Sequence, residues 1–504
     1  MLTSCTKNKL GSILLVIVLN HVLLAESIQS NWPQFRGPNC SGIADKERPP
    51  IEFGPETNVK WKIPIPAGVS SPIVWDDRIF LTAFTDDQLV TLAFDSSSGR
   101  EIWRRIVPTE KIEKCSSFSS PAASTPCTDG ERVYAYFGSY GVLAYDFEGK
   151  EIWKRPYKRL GIRYGTATSP IIVNDRLILQ RDGNGADSQI VALSISTGET
   201  IWELPRSEGK ASYSTPMVWR HDGIEELIVL GKGYATAYSL DGGKPNWWVR
   251  GWGVFEPITT PVAGNGMLFI GGTSSGDPSA PPDPVWNWNT LIQHDSNKDG
   301  QLAQDEIPES LIWHLRKEVP AGEPGSTYKI RNMIFWFIDT NKDKILTKKE
   351  WDESEATFNE ELKIDPDRLV CIRPGGKEDC TYTHVRWQTT DGIPEMPSPL
   401  FYRGRVHMVR NGGIWSVLEP ETGKRLVDRV RLGTGGGHAV ASPIAANGYI
   451  YVVNERGTFA VIRASDSLNV VALNKLKERV RSTPAIAGDA LYVRTHKHLW
   501  AFAD

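Results

Sequence analysis

Cysteine is scarce in this chain of 504 residues: there are six, and no two of them are adjacent. No Cys-x-x-Cys-His run occurs, which excludes haem attachment through that motif. An excess of basic residues is also missing, since the formal net charge is −3, and this argues against general nucleic-acid binding. Beyond Ala25, no apolar run is long enough to cross a bilayer.

The N-terminal stretch has the order of a secretory leader. Lys7 and Lys9 precede an apolar run from Leu10 to Leu24, and Ala25 is a small residue at a cleavage point. Two polar residues interrupt the run, which is short for a membrane span. We predict a signal peptide over 1–25 and an exported protein, periplasmic or secreted, with no transmembrane span after cleavage. An uncleaved membrane anchor is the alternative.

Removal of the leader leaves an odd number of cysteines, namely Cys40, Cys115, Cys127, Cys371 and Cys380. In an oxidising compartment one thiol is then free or paired elsewhere. The pairs nearest in sequence, Cys115–Cys127 and Cys371–Cys380, are candidate disulfides, and the connectivity stays open.

A unit of about 45 residues recurs along the chain and is clearest from Ser71 to Trp103. It holds four short runs rich in β-branched and aromatic residues, with Asp, Gly and Ser between them. Such runs predict strands joined by turns. A fixed period of this size indicates a solenoid or a propeller.

The units can be counted from a Ser/Thr-Pro pair at the start of each. The prolines are Pro72, Pro126, Pro170, Pro216, Pro261, Pro399, Pro443 and Pro484. Their spacing is nearly regular except between the fifth and the sixth, where the gap is about three units wide and must contain an insert. Four units also close with Trp four positions after Gly, as in Gly99 and Trp103.

The two ends of the chain complete the count. The eighth unit has only three strands before Asp504, whereas residues 58–63 supply a closing strand with a matching Trp61. Pairing the first and last strands shuts a ring and removes an open edge that would promote aggregation. We therefore predict an all-β fold, an eight-bladed β-propeller closed by an N-terminal strand, with a small α-helical insertion in blade 5.

The predicted domains follow from this count. They are the leader at 1–25, an irregular N-terminal cap at 26–57, propeller at 58–275, the insert at 276–368, and propeller again at 369–504. The cap is rich in Pro and Gly and has no periodicity. Within it, Arg36 is expected to pack against the propeller, and a binding role is the alternative.

The closing signal resembles a known motif. Residues 93–103, Ala-Phe-Asp-Ser-Ser-Ser-Gly-Arg-Glu-Ile-Trp, look like the tryptophan-docking motif of quinoprotein propellers, and residues 192–202 match it nearly as well. The resemblance implies a PQQ-like (quinoprotein or BamB-type) repeat propeller. That group contains dehydrogenases that use pyrroloquinoline quinone (PQQ) and also non-catalytic propellers. We interpret the repeated Trp side chains as structural anchors in the seams between blades.

For an enzyme of this group, the resemblance implies two further features, and this sequence shows neither of them. The dehydrogenases carry adjacent cysteines beneath the quinone, and this chain has none. A set of Asp, Asn or Glu for the quinone-bound calcium is also not identifiable. PQQ therefore stays open as a cofactor, but the chain lacks the adjacent cysteines that would support it. The fold alone does not decide the function.

The connections that precede each Ser/Thr-Pro pair are predicted to surround one mouth of the channel. Their candidate ligand-facing residues are Arg163, Tyr164, Tyr213, Glu256, Glu395, His438 and Arg481. One interpretation is a mixed polar and aromatic pocket. The alternative is a solvated rim with ordinary turn contacts.

The insert differs from the propeller in composition and period. Residues 276–368 hold 19 Asp and Glu against 11 Lys and Arg. Two loops, residues 295–306 and 339–350, closely resemble EF-hand calcium loops. Their predicted ligands are Asp295, Asn297, Asp299, Gln301 and Glu306 in the first, and Asp339, Asn341, Asp343, Ile345 and Glu350 in the second.

The spacing of these residues suits Ca²⁺, a hard cation that binds six to eight oxygens. Alternate side chains of the loop turn inward, and the seventh position offers its carbonyl. Glu306 closes the shell and starts an exit helix, for which the apolar run at 307–315 is suited. Gly300 permits the sharp turn at position 6. The second loop has Lys344 there, which predicts a weaker site. Leu302 and Leu346 are expected to join the loops through a short strand pair.

Three functions remain open from the sequence. The favoured one is a non-catalytic, exported, calcium-binding scaffold for a protein or cell-envelope partner. The alternative is a PQQ-dependent oxidoreductase acting on an alcohol or sugar. A propeller hydrolase or sugar-binding module is the third, although no nucleophile motif supports it.

Overall fold

The protein is described by a computed structural model over residues 31–85, 87–116, 118–185, 187–206, 211–231, 233–251, 256–272, 285–314, 327–364 (side chains to 357) and 368–504. Eight antiparallel blades of four strands are present in these residues, which confirms the predicted eight-bladed propeller. Neighbouring blades contact each other through their first strands, so the first strand of each blade is innermost and the fourth outermost. The predicted signal peptide at 1–25 lies outside the described residues.

The strands of each blade follow one another in the sequence for blades 1 to 4. They are Ile73–Trp75, Arg78–Thr85, Gln88–Asp95 and Glu101–Ile106 (blade 1); Cys127–Thr128, Arg132–Phe137, Gly141–Asp146 and Glu151–Pro156 (blade 2); Ile171–Val173, Arg176–Arg181, Gln189–Ser194 and Thr200–Pro205 (blade 3); and Met217–His221, Ile224–Gly231, Tyr234–Ser239 and Pro245–Arg250 (blade 4).

Blades 5 to 8 differ in that blade 5 is interrupted and blade 8 takes its fourth strand from the other end of the chain. Their strands are Val262–Gly264, Met267–Ile270, Leu369–Ile372 and Val385–Thr389 (blade 5); Leu400–Tyr402, Arg405–Arg410, Ile414–Leu418 and Arg425–Arg431 (blade 6); Ile444–Ala446, Tyr449–Val453, Thr458–Arg463 and Val470–Lys475 (blade 7); and Ala485–Ala487, Ala490–Arg494, His498–Phe502 and Val59–Pro64 (blade 8).

The ring is shut by the N-terminal strand. Val59–Pro64 runs antiparallel to His498–Phe502, with Trp61 opposite Ala501. The fully buried Arg494 lies beside this junction and donates hydrogen bonds to the carbonyl oxygens of Ser70 and Thr82. It thereby ties blade 8 to the segment that leads into blade 1. Burial lowers the pKa of Arg494 to about 9.

The docking motif has a local physical basis in blade 1. Ala93 lies directly opposite Trp103 on the adjoining strand, so the small side chain leaves room for the indole. The Asp95 carboxylate accepts hydrogen bonds from the hydroxyls and the amide N–H groups of Ser97 and Ser98, and these contacts, those from the hydroxyls first, lower the pKa of Asp95 to about 2. Gly99 then turns the chain at φ +74°.

Each of these tryptophans packs on the turn of the following blade. The Trp103 indole N–H donates to the carbonyl of Phe147 at 2.8 Å, and its ring lies against Gly149. The same contact recurs, with the indole, its acceptor and the glycine in that order, for Trp61 with Ser96 and Gly99, Trp153 with Ile195 and Gly198, Trp202 with Leu240 and Gly243, and Trp387 with Pro420 and Gly423. The prediction that Trp fills the seams is confirmed, and the apolar core lies between neighbouring blades.

The Ser/Thr-Pro pairs also have a structural role. The hydroxyl of Thr125 accepts a hydrogen bond from the amide N–H of Ser71 in the preceding blade at 2.9 Å. The same link joins, donor first, Thr125 to Ser169, Ser169 to Thr215, Thr260 to Ser398, Ser398 to Ser442, and Ser442 to Thr483. A hydroxyl at this position therefore satisfies a buried backbone donor at the axis.

Substitution of Thr125 by Val is expected to lower the free energy of unfolding by about 1–3 kcal/mol, because the shape is kept while the buried amide of Ser71 loses its acceptor. Urea unfolding measures the loss, and hydrogen exchange should speed up at Ser71. The exposed Thr200→Val, also on a strand, is the matched control. Equal stability of the two variants would contradict the role assigned to the hydroxyl.

The N-terminal segment fills one end of the channel instead of covering the outside of a blade. Trp32 forms a β-bridge with Val74 of blade 1, and Ile43 forms one with Ala445 of blade 7. Between them, the side chains of Asn39 and Arg36 reach innermost segments of blades 4 and 6. Residues 32–44 therefore cross the axis beside the turns between first and second strands.

Arg36 is part of this packing. It is fully buried, and its guanidinium donates to the carbonyl of Pro399 at 2.7 Å. Burial lowers the pKa of Arg36 to about 10 and raises that of the neighbouring Cys40 to about 12. The expectation that Arg36 packs is confirmed.

Blade 5 carries the insert between its second and third strands. The described helices of the insert are Trp288–Leu291, the 3₁₀ turn Ile292–His294, Ile330–Phe337 and Lys348–Ile364. Two short strand pairs accompany them, Leu302–Ala303 with Ile345–Leu346 and Ile312–Trp313 with Tyr328–Lys329. A separate apolar cluster, which includes Trp288, Ile334 and Trp351, forms their core.

Candidate functional site

Within the described residues, the predicted mouth residues make contacts in three places around the ring. Arg163, Tyr164, Tyr213 and Glu256 belong to the connections from blade 2 to blade 5, His438 and Arg481 lie near blades 7 and 8, and Glu395 lies at blade 6.

The first group is aromatic and charged. The rings of Tyr164 and Tyr213 meet edge to face, with centroids 5.7 Å apart. The Arg163 guanidinium lies over the Tyr164 ring at 5.0 Å. Burial, with the charge of Glu256, raises the pKa of Tyr213 above its ordinary value, so this hydroxyl stays protonated at neutral pH.

The second group surrounds a residue that the sequence interpretation missed. Phe118, from the connection between blades 1 and 2, places its ring 5.6 Å from His438 and 5.2 Å from the Arg481 guanidinium. Arg481 also forms an ion pair with Glu455 at 2.6 Å. The connection between blades 1 and 2 thus reaches the connections that lead into blades 7 and 8, and the Phe118 ring lies between His438 and Arg481.

We call the connection between blades 1 and 2, residues 107–126, the strap. One feature of the sequence indicates it. The interval from Pro72 to Pro126 is the longest apart from the one with the insert, so this connection has extra length. The strap is held in place by Glu113, a buried carboxylate that accepts hydrogen bonds from the amide and hydroxyl of Thr166. Burial raises the pKa of Glu113.

The third place is a buried polar contact. Glu395 accepts a hydrogen bond from the side-chain amide of Asn411, and the side-chain oxygen Oδ1 of Asn411 accepts from the backbone amide of Ala439. These residues join the entry to blade 6 with the connection that carries His438. The contact fixes backbone segments near the mouth.

The insert touches the first group. The rings of Trp336 and Phe337, at the end of the helix Ile330–Phe337, lie 5.0 Å and 5.9 Å from the Arg163 guanidinium. Arg163 is therefore bounded by aromatic rings from both the propeller and the insert. The sequence did not indicate that these two regions meet.

The first acidic loop turns its side-chain oxygens toward its own backbone. Asp295 accepts hydrogen bonds from the amides of Lys298 and Gly300, and Asp299 accepts from Gln301. Glu306 accepts from the amides of residues 296, 297 and 303. These hydrogen bonds, that from Ala303 first, lower the pKa of Glu306.

The second loop repeats this arrangement. Asp339, which is buried, accepts from the amide of Lys344, and Asp343 accepts from Ile345. Lys344 takes φ +65° where Gly300 of the first loop takes φ +81°. The expected strand pair is present, with Leu302 opposite Leu346.

One expectation for the first loop is wrong. The sequence predicts that Glu306 starts an exit helix through 307–315, but residues 304–306 form a turn and Ile312–Trp313 is a short strand. Pro308 explains the difference, because it has no N–H to donate and disfavours a helical residue before it. In the second loop, Glu350 does lie in a helix, Lys348–Ile364.

Across the described ranges, no three side chains of His, Cys, Asp or Glu lie close enough together to hold a metal ion. In the part of the chain that the structure describes, no helix has the length and apolar character to cross a membrane.

The candidate disulfides are not formed. Cys40, Cys115, Cys127, Cys371 and Cys380 are all free thiols. Cys371 lies in the third strand of blade 5 with its sulfur 3.4 Å from that of Met267, whereas Cys380 contacts the carbonyl of Lys377. Sequence proximity was therefore a poor guide to pairing here.

Comparison with known proteins supports the PQQ-like propeller. A family model described as outer membrane protein assembly factor BamB matches residues 55–161 and 381–504. The quinohemoprotein alcohol dehydrogenase ADH IIB of Pseudomonas putida is 20% identical over 416 residues, which is 75% of this chain and 55% of that protein. The chain thus spans about half the length of this relative.

A solved structure supports the fold, and the fold alone. BamB from Moraxella catarrhalis superposes with a TM-score of 0.51 and 11% identity, over 88% of this chain and 98% of that one. Quinohemoprotein alcohol dehydrogenase ADHIIG from Pseudomonas putida HK5 gives a TM-score of 0.49 and 12% identity, over 94% and 80% of the two chains, and nothing further rests on it.

Proposed function

We propose that this chain is an exported, calcium-binding propeller that acts as a non-catalytic scaffold for a protein or cell-envelope partner. The observation that carries the scaffold interpretation is how the chain fills its own axis. Residues 32–44 cross one end, and Phe118 lies between His438 and Arg481 at the other. Surfaces outside the channel are then the natural places for a partner to bind.

The mouth does not fit a quinone in this arrangement. The Phe118 ring takes the face of Arg481 that a planar ligand would use, and the charge of Arg481 is paired with Glu455. The cysteines are isolated thiols, and burial raises the pKa of Cys115, the one on the strap, to about 12. We therefore derive no reaction step through PQQ.

The two acidic loops fit calcium by the chemistry of their donors. Each offers carboxylate oxygens, an Asn side chain and a backbone carbonyl, which are the hard oxygen ligands that Ca²⁺ binds. Asp295, Asn297, Asp299, Gln301 and Glu306 would hold the first ion, and Asp339, Asn341, Asp343, Ile345 and Glu350 the second. Bound calcium supplies positive charge that offsets repulsion among these oxygens.

Export and partner rest on separate supports. The leader-like sequence at 1–25 supports export. The family model named for an outer membrane assembly factor supports a protein partner at the cell envelope. A periplasmic or secreted location follows from both.

The second candidate function is a PQQ-dependent oxidoreductase, favoured by the similarity to a quinohemoprotein alcohol dehydrogenase. It requires Phe118 to leave the mouth and a quinone to take its place. Titration of the purified protein with PQQ, followed by absorbance and calorimetry, separates the two functions. Saturable quinone binding at one site would overturn the scaffold proposal.

Calorimetry with Ca²⁺ tests the other half of the proposal. We expect binding with a dissociation constant of order 10⁻⁴–10⁻³ M, as in extracellular calcium modules. Glu306→Ala should abolish the heat of the first site, because it removes the residue that closes the ligand shell. Asp305→Ala, an exposed acidic neighbour outside the ligand positions, is the matched control. Unchanged binding in Glu306→Ala would contradict the site.

A further inference from the structure

We propose that calcium in the second loop is linked to the mouth of the propeller through Arg163, so that metal binding and the arrangement of the mouth are thermodynamically coupled. This inference rests on the proposed calcium function and adds a regulatory contact to it. It is carried by the contacts of the helix Ile330–Phe337, which lies between the loop and the mouth.

One face of this helix belongs to the core of the insert. Ile330 and Ile334 are fully buried there, and Ile338 just after the helix is nearly so. Arg331 donates to the carbonyls of Asp305 and Ile307 at the end of the first loop. The position of the helix is thus tied to the insert core and to the end of the first loop.

The other face points to the propeller. Trp336 and Phe337 remain 67% and 50% exposed, which is unusual for adjacent large aromatic residues. Both of their rings lie on one guanidinium, that of Arg163. A cation held between aromatic faces gains electrostatic attraction from each ring.

The helix ends where the second loop begins. Phe337 is two positions before Asp339, the first predicted ligand, and Asp339 accepts the amide of Lys344 across the loop. Only Ile338 separates the helix from Asp339, so a backbone shift at Asp339 on metal binding would be passed to the last turn of the helix and to the two rings. Metal binding at the loop therefore acts directly on the contact with Arg163.

On the propeller side, Arg163 is joined to the rest of the mouth. Its guanidinium also covers Tyr164, whose ring meets Tyr213 of the next connection. Shortly after it in the chain, Thr166 is held by Glu113 of the strap that carries Phe118. The contact thus connects the second loop with the connections of blades 1 to 4.

Coupling between two sites is reciprocal, so a change at Arg163 must alter calcium affinity. Loss of two cation–π contacts is expected to weaken binding of Ca²⁺ about fivefold. The test is calorimetry with Ca²⁺ on the full exported chain, as wild type and as Arg163→Ala. Arg155→Ala is the matched control, because that exposed guanidinium lies over Tyr157, within the propeller.

A second measurement locates the effect. Hydrogen exchange over 163–166 should slow when Ca²⁺ is added to the wild type, and this change should disappear in Trp336→Ala. In a Glu350→Ala background, which removes the second site, Arg163→Ala should have no further effect on calcium affinity.

The outcomes are distinguishable. Equal calcium affinity in wild type and Arg163→Ala would overturn the coupling and leave the calcium proposal standing. A fivefold effect that persists in the Glu350→Ala background would also overturn it, because the second loop would not be the route. No calcium heat in the wild type would remove the calcium proposal and this inference with it.

Discussion

Replacement of Trp103 by alanine is expected to lower the free energy of unfolding by about 3–5 kcal/mol, as for large aromatic residues removed from a core. Trp103 is 5% exposed and lies in the seam between blades 1 and 2, where it contacts Phe80 and Tyr145. The substitution also leaves the carbonyl of Phe147 without its indole donor. Equilibrium unfolding in urea, followed by tryptophan fluorescence and circular dichroism, measures the loss.

Gly149→Ala approaches the same seam from the other side. A Cβ at this position would lie 2.7 Å from the Trp103 ring, on a backbone with φ +82°. In Gly149→Ala, the left-handed conformation alone should lower the free energy of unfolding by roughly 1–2 kcal/mol, and the clash with the Trp103 ring adds to this loss. Trp336→Ala, at a 67% exposed tryptophan, is the control for Trp103→Ala and should change stability by no more than about 1 kcal/mol, the size of its cation–π contact with Arg163. Similar losses in Trp103→Ala and Trp336→Ala would argue against the seam as the source of stability.

The propeller could be predicted from the sequence because each repeat carries its own structural instructions. Asp95 forms the turn, Gly99 permits it, and Trp103 fills the next seam, all within one short stretch of chain. Closure of the ring was predictable for a similar reason. The strand that contains Trp61 has the closing signal of a blade, but the three other strands of that blade lie at the C-terminal end of the chain. Local signals repeated along a chain are what sequence interpretation detects best.

The arrangement of the mouth could not be predicted in the same way. Phe118 is far in sequence from His438 and Arg481, and the three meet only because the ring brings the strap before blade 2 close to blades 7 and 8. The connection that carries Phe118 has no periodic pattern. Its extra length was visible in the sequence, but its direction across the mouth depends on tertiary contacts such as that of Glu113 with Thr166.

The N-terminal segment shows the same limit. Its Pro- and Gly-rich composition correctly indicated irregular structure, but composition has no information on which surface such a segment covers. Its place in the channel comes from scattered hydrogen bonds, for example between Asn39 and the backbone of Val218 in blade 4. Burial of Arg36 there was expected from its packing role, whereas its carbonyl partner 363 residues away was not.

Blade 5 departs from the repeat in a way that the sequence obscured. Residues 373–384 lengthen the turn before its last strand, and Glu378–Asp379 pairs in parallel with the outer strand of blade 4. Trp247 accordingly packs on Gly376, and its indole donates to the carboxylate of Glu226 instead of a turn carbonyl. The seam between blades 4 and 5 is therefore closed by a different set of contacts.

The buried ion pair in blade 3, beside blade 4, gives the second large expected effect. Arg206→Met is expected to lower the free energy of unfolding by about 3–5 kcal/mol at neutral pH, because it leaves the Asp182 carboxylate buried without its partner. Arg206 and Asp182 are 2.9 Å apart, and their side chains are 9% and 0% exposed. The guanidinium also donates to the hydroxyl of Tyr238.

The loss should depend on pH in a defined direction. Burial raises the pKa of Asp182 in the folded protein, while Arg206 and Gln180 act to lower it. Without Arg206 the pKa rises further, so the folded state of Arg206→Met disfavours the ionised carboxylate more strongly. The stability deficit should then be small well below pH 3.8, where the carboxyl is protonated in the folded and unfolded states of both proteins. It should grow as pH rises from the folded pKa of the wild type towards the higher folded pKa of the variant, and level off above that.

Two comparisons make this prediction specific. Arg206→Met with Asp182→Ala should recover part of the loss, because the double variant has no unpaired buried charge. Removal of the exposed pair by Arg220→Met, where Arg220 and Glu225 are 54% and 38% exposed, should change stability by less than about 1 kcal/mol. Urea unfolding at pH 4 and pH 7 measures all four proteins. A loss in Arg206→Met that is equal at the two pH values would mean that lost packing, and not the unpaired carboxylate, is the cause. Of the two partners, only the carboxylate changes its charge with pH in this way.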